Sequence, residues 1–182
     1  MIFIGITGYK QCGKDTVAKL LMQQLGEYRC CHINFADALK QEICRALCIT
    51  RPYLDEHKAN FRLIMQGWGT DYRRKLCGDT YWVQKWLETI RDMKQTPEFI
   101  IATDVRFLNE AEAIRELGGM IVRVHRQSCS CDGHESEREL DSISPDLTLG
   151  NHHTLADLLP HVVDLSKQIK EHYRWHTNST TH

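Results

Sequence analysis

The chain has 182 residues, a length that suits one domain with small mobile inserts. Its composition is 42% apolar and 26% charged, with 23 basic against 24 acidic residues; this describes a globular protein with a core and excludes a nucleic-acid binder driven by bulk electrostatics. No apolar run approaches bilayer length, and the eight cysteines of so core-rich a chain read as free thiols in a reducing cytoplasm, not as a disulfide framework.

The opening "MIFIGITG" lacks a basic n-region and a cleavage site, so it reads as a buried strand over Ile2 to Thr7 feeding a tight turn, not as a signal peptide. From Asp15, Val17, Leu20, Leu21 and Leu25 recur at helical spacing, with Gly26 as the stop. "HINFA", His32 to Ala36, predicts a second short strand, and Asp37 a cap for the helix that follows. Residues 54–95 contain no strand pattern and read as mostly helical, punctuated by Gly67, Gly69 and Gly78. "EFIIATD", Glu98 to Asp104, is a continuous apolar run and predicts a central parallel strand. A helix over "NEAEAIREL", a strand over "MIVRVHR", a polar loop with a short helix over 127–146, and a last strand over "DLTLGN" follow. The C-terminal segment predicts one or two helices broken near Pro160, then a frayed tail.

Alternating strands and helices imply an α/β fold, a parallel sheet covered by helices on both faces. Ligands in such folds sit at the carboxyl ends of the strands, and Gly8 to Thr16, Asp37 to Lys40 and Asp104 to Arg106 lie at such ends.

"GYKQCGKDT" matches Gly-x4-Gly-Lys at Gly8, Gly13 and Lys14, between an apolar strand and an amphipathic helix. The glycines let backbone amides turn inward around phosphate oxygens, and the helix aims its positive end at the same place. Lys10, Cys12 and Thr16 belong to the same loop, and Lys14 would bridge the terminal phosphates of ATP. Asp15 stands where Ser or Thr is usual, and Thr16 supplies the hydroxyl one place later. A carboxylate in a first helical turn is favoured by roughly half a kcal/mol; beyond capping, Asp15 suits a role beside Mg²⁺ or in orienting the attacking oxygen. Cys12, near a helix N-terminus, is expected to have a lowered thiol pKa.

A GTPase would need an Asn-Lys-x-Asp motif and an Asp-x-x-Gly switch; the chain offers "NHHT" and "DVRF" instead. Asp104 ends an apolar strand and suits the acidic position that holds hydrated Mg²⁺. Small size with scattered arginines points to phosphoryl transfer between two small anions, where positioning and charge neutralisation are most of the chemistry. The candidates are Arg62, Arg73, Arg74, Arg106, Arg123, Arg126 and Arg138. Arg126 opens a polar segment, about 126–140, read as a lid. Cys129, Cys131, His125 and His134 could bind zinc in that segment, but they lack the paired Cys-x-x-Cys of a zinc clip, so free side chains are the favoured reading.

Together "GYKQCGKDT", "NFADALK", "QGWGTDYRRKLCGDTYWVQKW", "IIATDVRFLNEAEAIRELGG", "HESERELD" and "LGNHHTLADLL" resemble the phage-type deoxynucleoside monophosphate kinases, in order from about Ile2 to Leu159. The resemblance implies a single phosphate-loop kinase domain with a helical acceptor-binding insert, about 37–95, and ATP, Mg²⁺ and a deoxynucleoside monophosphate as ligands. It marks Lys14, Asp15, Thr16, Arg62, Trp82, Asp104 and Arg106. On this reading Gly8, Lys10, Cys12, Gly13, Lys14, Asp15, Thr16 and Asn151 hold ATP, with Asn151 near the adenine. Asp15, Thr16 and Asp104 hold Mg²⁺. Asp37, Lys40, Arg62, Gln66, Arg73, Trp82 and Arg106 meet the acceptor, with Trp82 either stacking a base or packing in the core. Lys14, Asp15, Arg62, Asp104, Arg106 and Arg126 carry the transfer. The location expected is cytoplasmic, the host's for a phage-encoded chain, with no nucleic-acid or membrane partner and a homodimer left open. The same layout also resembles animal-type phosphomevalonate kinases, and a nucleotide-binding regulator without transfer activity is the remaining alternative; Trp68 and Trp82 favour a nucleotide acceptor.

Overall fold

A computed structural model describes residues 1–127, 129, 139–152 and 154–179, with side chains through residue 173. Most of the expected lid and of "HESERELD", including Cys131, His134 and Arg138, lies outside the described residues. The chain divides into two compact units, one formed by Met1–His32 with Thr96–His182 and the other by Ile33–Gln95.

The first unit carries a five-stranded, all-parallel sheet. Its strands are β1 (Ile2–Thr7), β2 (Cys30–His32), β3 (Phe99–Ala102), β4 (Met120–His125) and β5 (Leu147–Gly150), in the order β2-β3-β1-β4-β5. β1 is central, paired to β3 from Ile2↔Phe99 and to β4 from Ile4↔Met120. All six of its residues are buried, which is why it reads as an unbroken apolar run.

Helix α1 (Lys14–Leu25) and the long C-terminal helix (Leu155–Ser179) cover one face of the sheet. Ile4, Ile6, Val122 and Val124 meet Val17, Leu21 and Leu25 there, together with Val162 and Ile169. Each such side chain contributes about 1.5–3 kcal/mol of burial. On the other face a Cβ at Gly5 would fall 2.6 Å from Cδ1 of Ile114 and 2.7 Å from Cδ1 of Ile121, so a larger residue there would make these packed side chains shift.

Two boundaries differ from the sequence expectation. β2 ends at His32, where residues 33–36 had been expected to extend. Ile33 and Phe35 instead serve the second unit: Trp86 Nε1 donates to the Ile33 carbonyl at 3.0 Å, and the Phe35 and Trp86 rings stack at 4.6 Å. Pro160 does not break the last helix. Ala156 and Pro160 are both exposed, so the carbonyl that loses its amide partner can reach water. Thr154 and Asp157 exchange hydrogen bonds as a capping box that starts this helix.

The second unit is helical and, in order after α1, comprises α2 (Ala36–Leu47), α3 (Arg51–Glu56), α4 (Arg62–Gln66), a π-helical stretch (Gly67–Arg74), α5 (Lys75–Cys77) and α6 (Tyr81–Arg91). The helix over Leu108–Glu116 is therefore α7 and the C-terminal helix α8. Leu39, Ile43, Leu54 and Trp82 form the unit's core. Among the described residues no helix is long and apolar enough to cross a membrane.

Candidate active site

The turn between β1 and α1 has the backbone its glycines predict. Gly8 has φ 142°, Gln11 64° and Gly13 95°, a series of left-handed positions that curls the chain around its own amides. A Cβ at Gly8 would fall 2.4 Å from the Val124 carbonyl oxygen, and one at Gly13 would fall 2.3 Å from Asn151 Nδ2. Lys14 Nζ folds back and donates to the carbonyls of Gly8 at 2.6 Å and Tyr9 at 2.7 Å. The ammonium is thus held at the mouth of the loop. Thr7, fully buried just before the loop, has a hydroxyl with no hydrogen-bond partner among the described residues. Lys10 and Thr16 are exposed on either side.

Asn151, at the end of β5, donates from Nδ2 to the Cys12 carbonyl at 2.9 Å, and its own amide donates to the His125 carbonyl at 2.8 Å. It ties the loop to the neighbouring strand ends. Beside it lies a cavity of about 220 Å³ bordered by His152, Thr154, Asp157 and His161. The thiol of Cys12 departs from expectation. Burial pushes its pKa up, and the opposing pull of Lys14 does not overcome this.

At the end of β3 stands Thr103-Asp104-Val105-Arg106. Thr103 Oγ1 donates to Asp15 Oδ1 at 2.9 Å. Asp104 and Arg106 are half-buried. The backbone course of this segment is set by Glu110, a 4% exposed carboxylate that accepts from the amides of Arg106 at 2.8 Å and Phe107 at 3.2 Å. It caps the amides at the start of α7, where a carboxylate also suits the positive end of the helix. Asp15, Thr16 and Asp104 offer hard oxygen donors of the kind Mg²⁺ takes. Among the described residues no three His, Cys, Asp or Glu side chains converge on one point, so phosphate oxygens and waters would have to complete such a coordination shell.

In the second unit the expected acceptor residues fall into two networks. Asp37 accepts from the Asn34 amide at 2.8 Å and from Arg51 at 2.8 Å; it lies inside the first turn of α2 and is not its N-cap. Arg51 also reaches Asp55, which accepts from Lys40 at 2.7 Å. The second network centres on Glu42. It accepts from Trp68 Nε1 and Arg73 Nε, both at 2.8 Å, and from Tyr81 Oη at 2.5 Å. Burial works to raise the Glu42 carboxyl, but these three donors outweigh it and hold it below the usual range. Burial and the bond to Glu42 push Tyr81 up to about 12. The Arg73 guanidinium lies 5.1 Å from the Tyr72 ring centre and 5.0 Å from that of Tyr81. Trp82 is 4% exposed and donates to the Gly69 carbonyl at 2.9 Å, so its ring is a core element. Arg62 and Gln66 open and close α4, half-buried.

Residues 49–162 match the family profile described as deoxynucleotide monophosphate kinase. The chain belongs to the deoxynucleotide monophosphate kinase family. An Acanthamoeba polyphaga mimivirus protein named "Putative deoxynucleotide monophosphate kinase" is 30% identical over 187 positions, covering 90% of this chain and 95% of that one. Phosphomevalonate kinase of Drosophila melanogaster is 30% identical over 122 positions, 65% of this chain and 62% of that one. A solved shikimate kinase of Bacteroides thetaiotaomicron covers 93% of this chain and 98% of its own, at 14% identity and a TM-score of 0.49.

Within this kinase family member the first unit gathers Gly8, Gly13, Lys14, Asp15 and Asn151 around one loop. Arg123 and Arg74 are engaged by backbone carbonyls. Arg123 donates to the carbonyls of Leu140 and Ile143, and the buried Arg74 to that of Asp79. Arg126 is half-buried just beyond β4. Sequence reading missed Glu42, Arg51, Thr103 and Glu110. Glu110 carried no capping-box signal, because Phe107, three residues before it, has no side-chain acceptor.

Proposed function

We propose that this protein transfers the γ-phosphoryl group of ATP to a deoxynucleoside 5′-monophosphate, giving the diphosphate and ADP. The observation that carries the reading is the Lys14 ammonium, held on the Gly8 and Tyr9 carbonyls within a loop that takes positive φ at Gly8, Gln11 and Gly13, the backbone a phosphate-binding turn needs. Terminal phosphate oxygens would take over the ammonium from those carbonyls. The loop amides and the α1 N-terminus then bind the β- and γ-phosphates, and the cavity beside Asn151 and His152 takes the adenine.

Thr16, Asp15 and Asp104 would hold Mg²⁺, which supplies charge neutralisation on the β,γ-phosphate oxygens. An oxygen of the acceptor phosphate attacks the γ-phosphorus in line as the bond to the β,γ-bridging oxygen breaks. Lys14 and Arg106 neutralise the charge on the transferring group. The helical unit Ile33–Gln95 serves as the acceptor-binding insert, with Arg62, Gln66 and Arg73 for the acceptor and Asp37 and Lys40 shaping it through Arg51 and Asp55. Arg126 and the segment after it close as the lid.

Phosphomevalonate is the rival acceptor, because the Drosophila enzyme is 30% identical over 65% of this chain. The nucleotide is favoured by the longer match to the mimivirus protein and by Trp68, Tyr72 and Tyr81, aromatic side chains grouped around Arg73. A base can stack on such rings and phosphomevalonate cannot. The test is ADP release with ATP-Mg²⁺ against each common dNMP, each NMP and phosphomevalonate. Turnover with at least one dNMP is expected; turnover with phosphomevalonate alone would overturn the assignment.

A further inference from the structure

His32 takes part in no role derived so far, although it ends β2 beside the phosphate-loop side of the sheet. β2 pairs with β3 so that His32 lies opposite Ile101, which leaves its ring next to Thr103 two residues further on. His32 Nε2 and Thr103 Oγ1 are 3.1 Å apart, and Thr103 Oγ1 is 2.9 Å from Asp15 Oδ1. Thr103 is 3% exposed, so this hydroxyl bridges the other two from a site that water barely reaches.

The direction of these bonds follows from proton counting. A carboxylate oxygen only accepts, so the single hydroxyl hydrogen of Thr103 goes to Asp15. The hydroxyl oxygen can then only accept from His32, and Nε2 must carry the hydrogen. The chain runs His32 to Thr103 to Asp15, each donor fixing the next. It links the ends of two strands to the first turn of α1. An unsupported Asp15, exposed on that turn, would sample several rotamers.

We propose that His32 is a positioning residue that acts through Thr103 to hold the Asp15 carboxylate in the orientation phosphoryl transfer uses. The proposal rests on the role given to Asp15 above. A donor polarised by a second donor is a stronger one, and outer partners that orient a metal-site or catalytic carboxylate are typically worth about 10–100-fold. Gln can present an amide hydrogen near the position of Nε2; Ala cannot.

Two measurements test it. In the ligand-free protein, long-range ¹H–¹⁵N correlation of the His32 ring should show the Nε2-protonated form with a slowly exchanging hydrogen, and Thr103→Val should abolish that protection. An Nδ1-protonated ring would reverse the bond to Thr103 and overturn the proposal without any reference to activity. In kinetics, His32→Ala should lower kcat about tenfold with the KM for ATP-Mg²⁺ within about twofold, on the scale of outer-partner effects. His32→Gln should restore most of the loss, and Thr103→Ser should retain more activity than Thr103→Val. If Asp15→Asn is inactive while His32→Ala is fully active, the His32 proposal falls and the role of Asp15 stands. If Asp15→Asn is itself fully active, the role of Asp15 falls, and the kinetic part of this proposal with it.

Discussion

Replacing Gly13 with alanine probes the phosphate loop through two separable costs. Gly13 has φ 95° and ψ 21°, where a side chain costs about 1–2 kcal/mol. The new Cβ would also fall 2.3 Å from Asn151 Nδ2, which must leave and give up its 2.9 Å bond to the Cys12 carbonyl. That bond is worth about 1 kcal/mol. Gly13→Ala alone should therefore cost about 2–3 kcal/mol, and Asn151→Ala alone about 1 kcal/mol. The double variant should cost no more than Gly13→Ala, because the bond is lost only once. The coupling is then about 1 kcal/mol, measurable by a urea-denaturation cycle. In a chain of this size Gly13→Ala should lower the melting temperature by roughly 4–12 °C. Strict additivity, or an alanine at position 13 without cost, would refute the loop geometry. Titration calorimetry with a non-hydrolysable ATP analogue should show weakened binding in both Gly13 variants.

Other outcomes follow from individual side chains. Lys14→Ala should reduce kcat by about 10²–10³-fold, the usual effect of removing one donor to a transition-state oxyanion, in a protein that still unfolds cooperatively but melts a few degrees lower for loss of the bonds to the Gly8 and Tyr9 carbonyls. Glu42→Gln should flatten the dependence of stability on pH at both ends. The depressed Glu42 carboxyl contributes stability above its ordinary value of about 4.3, lost as pH falls through its lower folded value. Tyr81, raised to about 12, contributes stability below its ordinary value of about 10, lost as pH climbs towards 12. A thermal melt series from pH 3 to pH 11 reads both ends, and an unchanged profile would contradict the hydrogen-bond network. Alkylation followed by mass spectrometry at neutral pH should modify the exposed Cys48 and Cys77 first and Cys12 last, because burial shields the Cys12 thiol and raises its pKa. Early labelling of Cys12 would contradict that placement.

The β1–loop–α1 unit was legible because every signal there is local. An unbroken apolar run, two glycines at fixed spacing and a helical repeat of Val17, Leu21 and Leu25 all point the same way. β2 was misplaced because Cys30-Cys31-His32 has no apolar signature, while Ile33 and Phe35, which do, pack with Trp86. Helical periodicity cannot register a π-helical stretch, so the turn that carries Trp68, Tyr72 and Arg73 was invisible. Pro160 reads as a breaker in the sequence, because the solvent exposure that makes it tolerable depends on how α8 lies on the sheet. Glu42, Thr103 and His32 act on residues 26 to 88 positions away, and no short motif encodes that distance. Trp82 shows the converse: an aromatic residue in a promising segment whose indole is spent on Gly69 and the core.

The most direct measurement is ³¹P NMR of the purified protein with ATP, Mg²⁺ and a single deoxynucleoside monophosphate, repeated for each base. The account predicts that ADP and the deoxynucleoside diphosphate appear in equal amounts with at least one base, and that neither appears with Lys14→Ala on the same timescale. Spectra in which ATP stays intact with every dNMP, or breaks down to ADP and free phosphate with no new diphosphate, would contradict it.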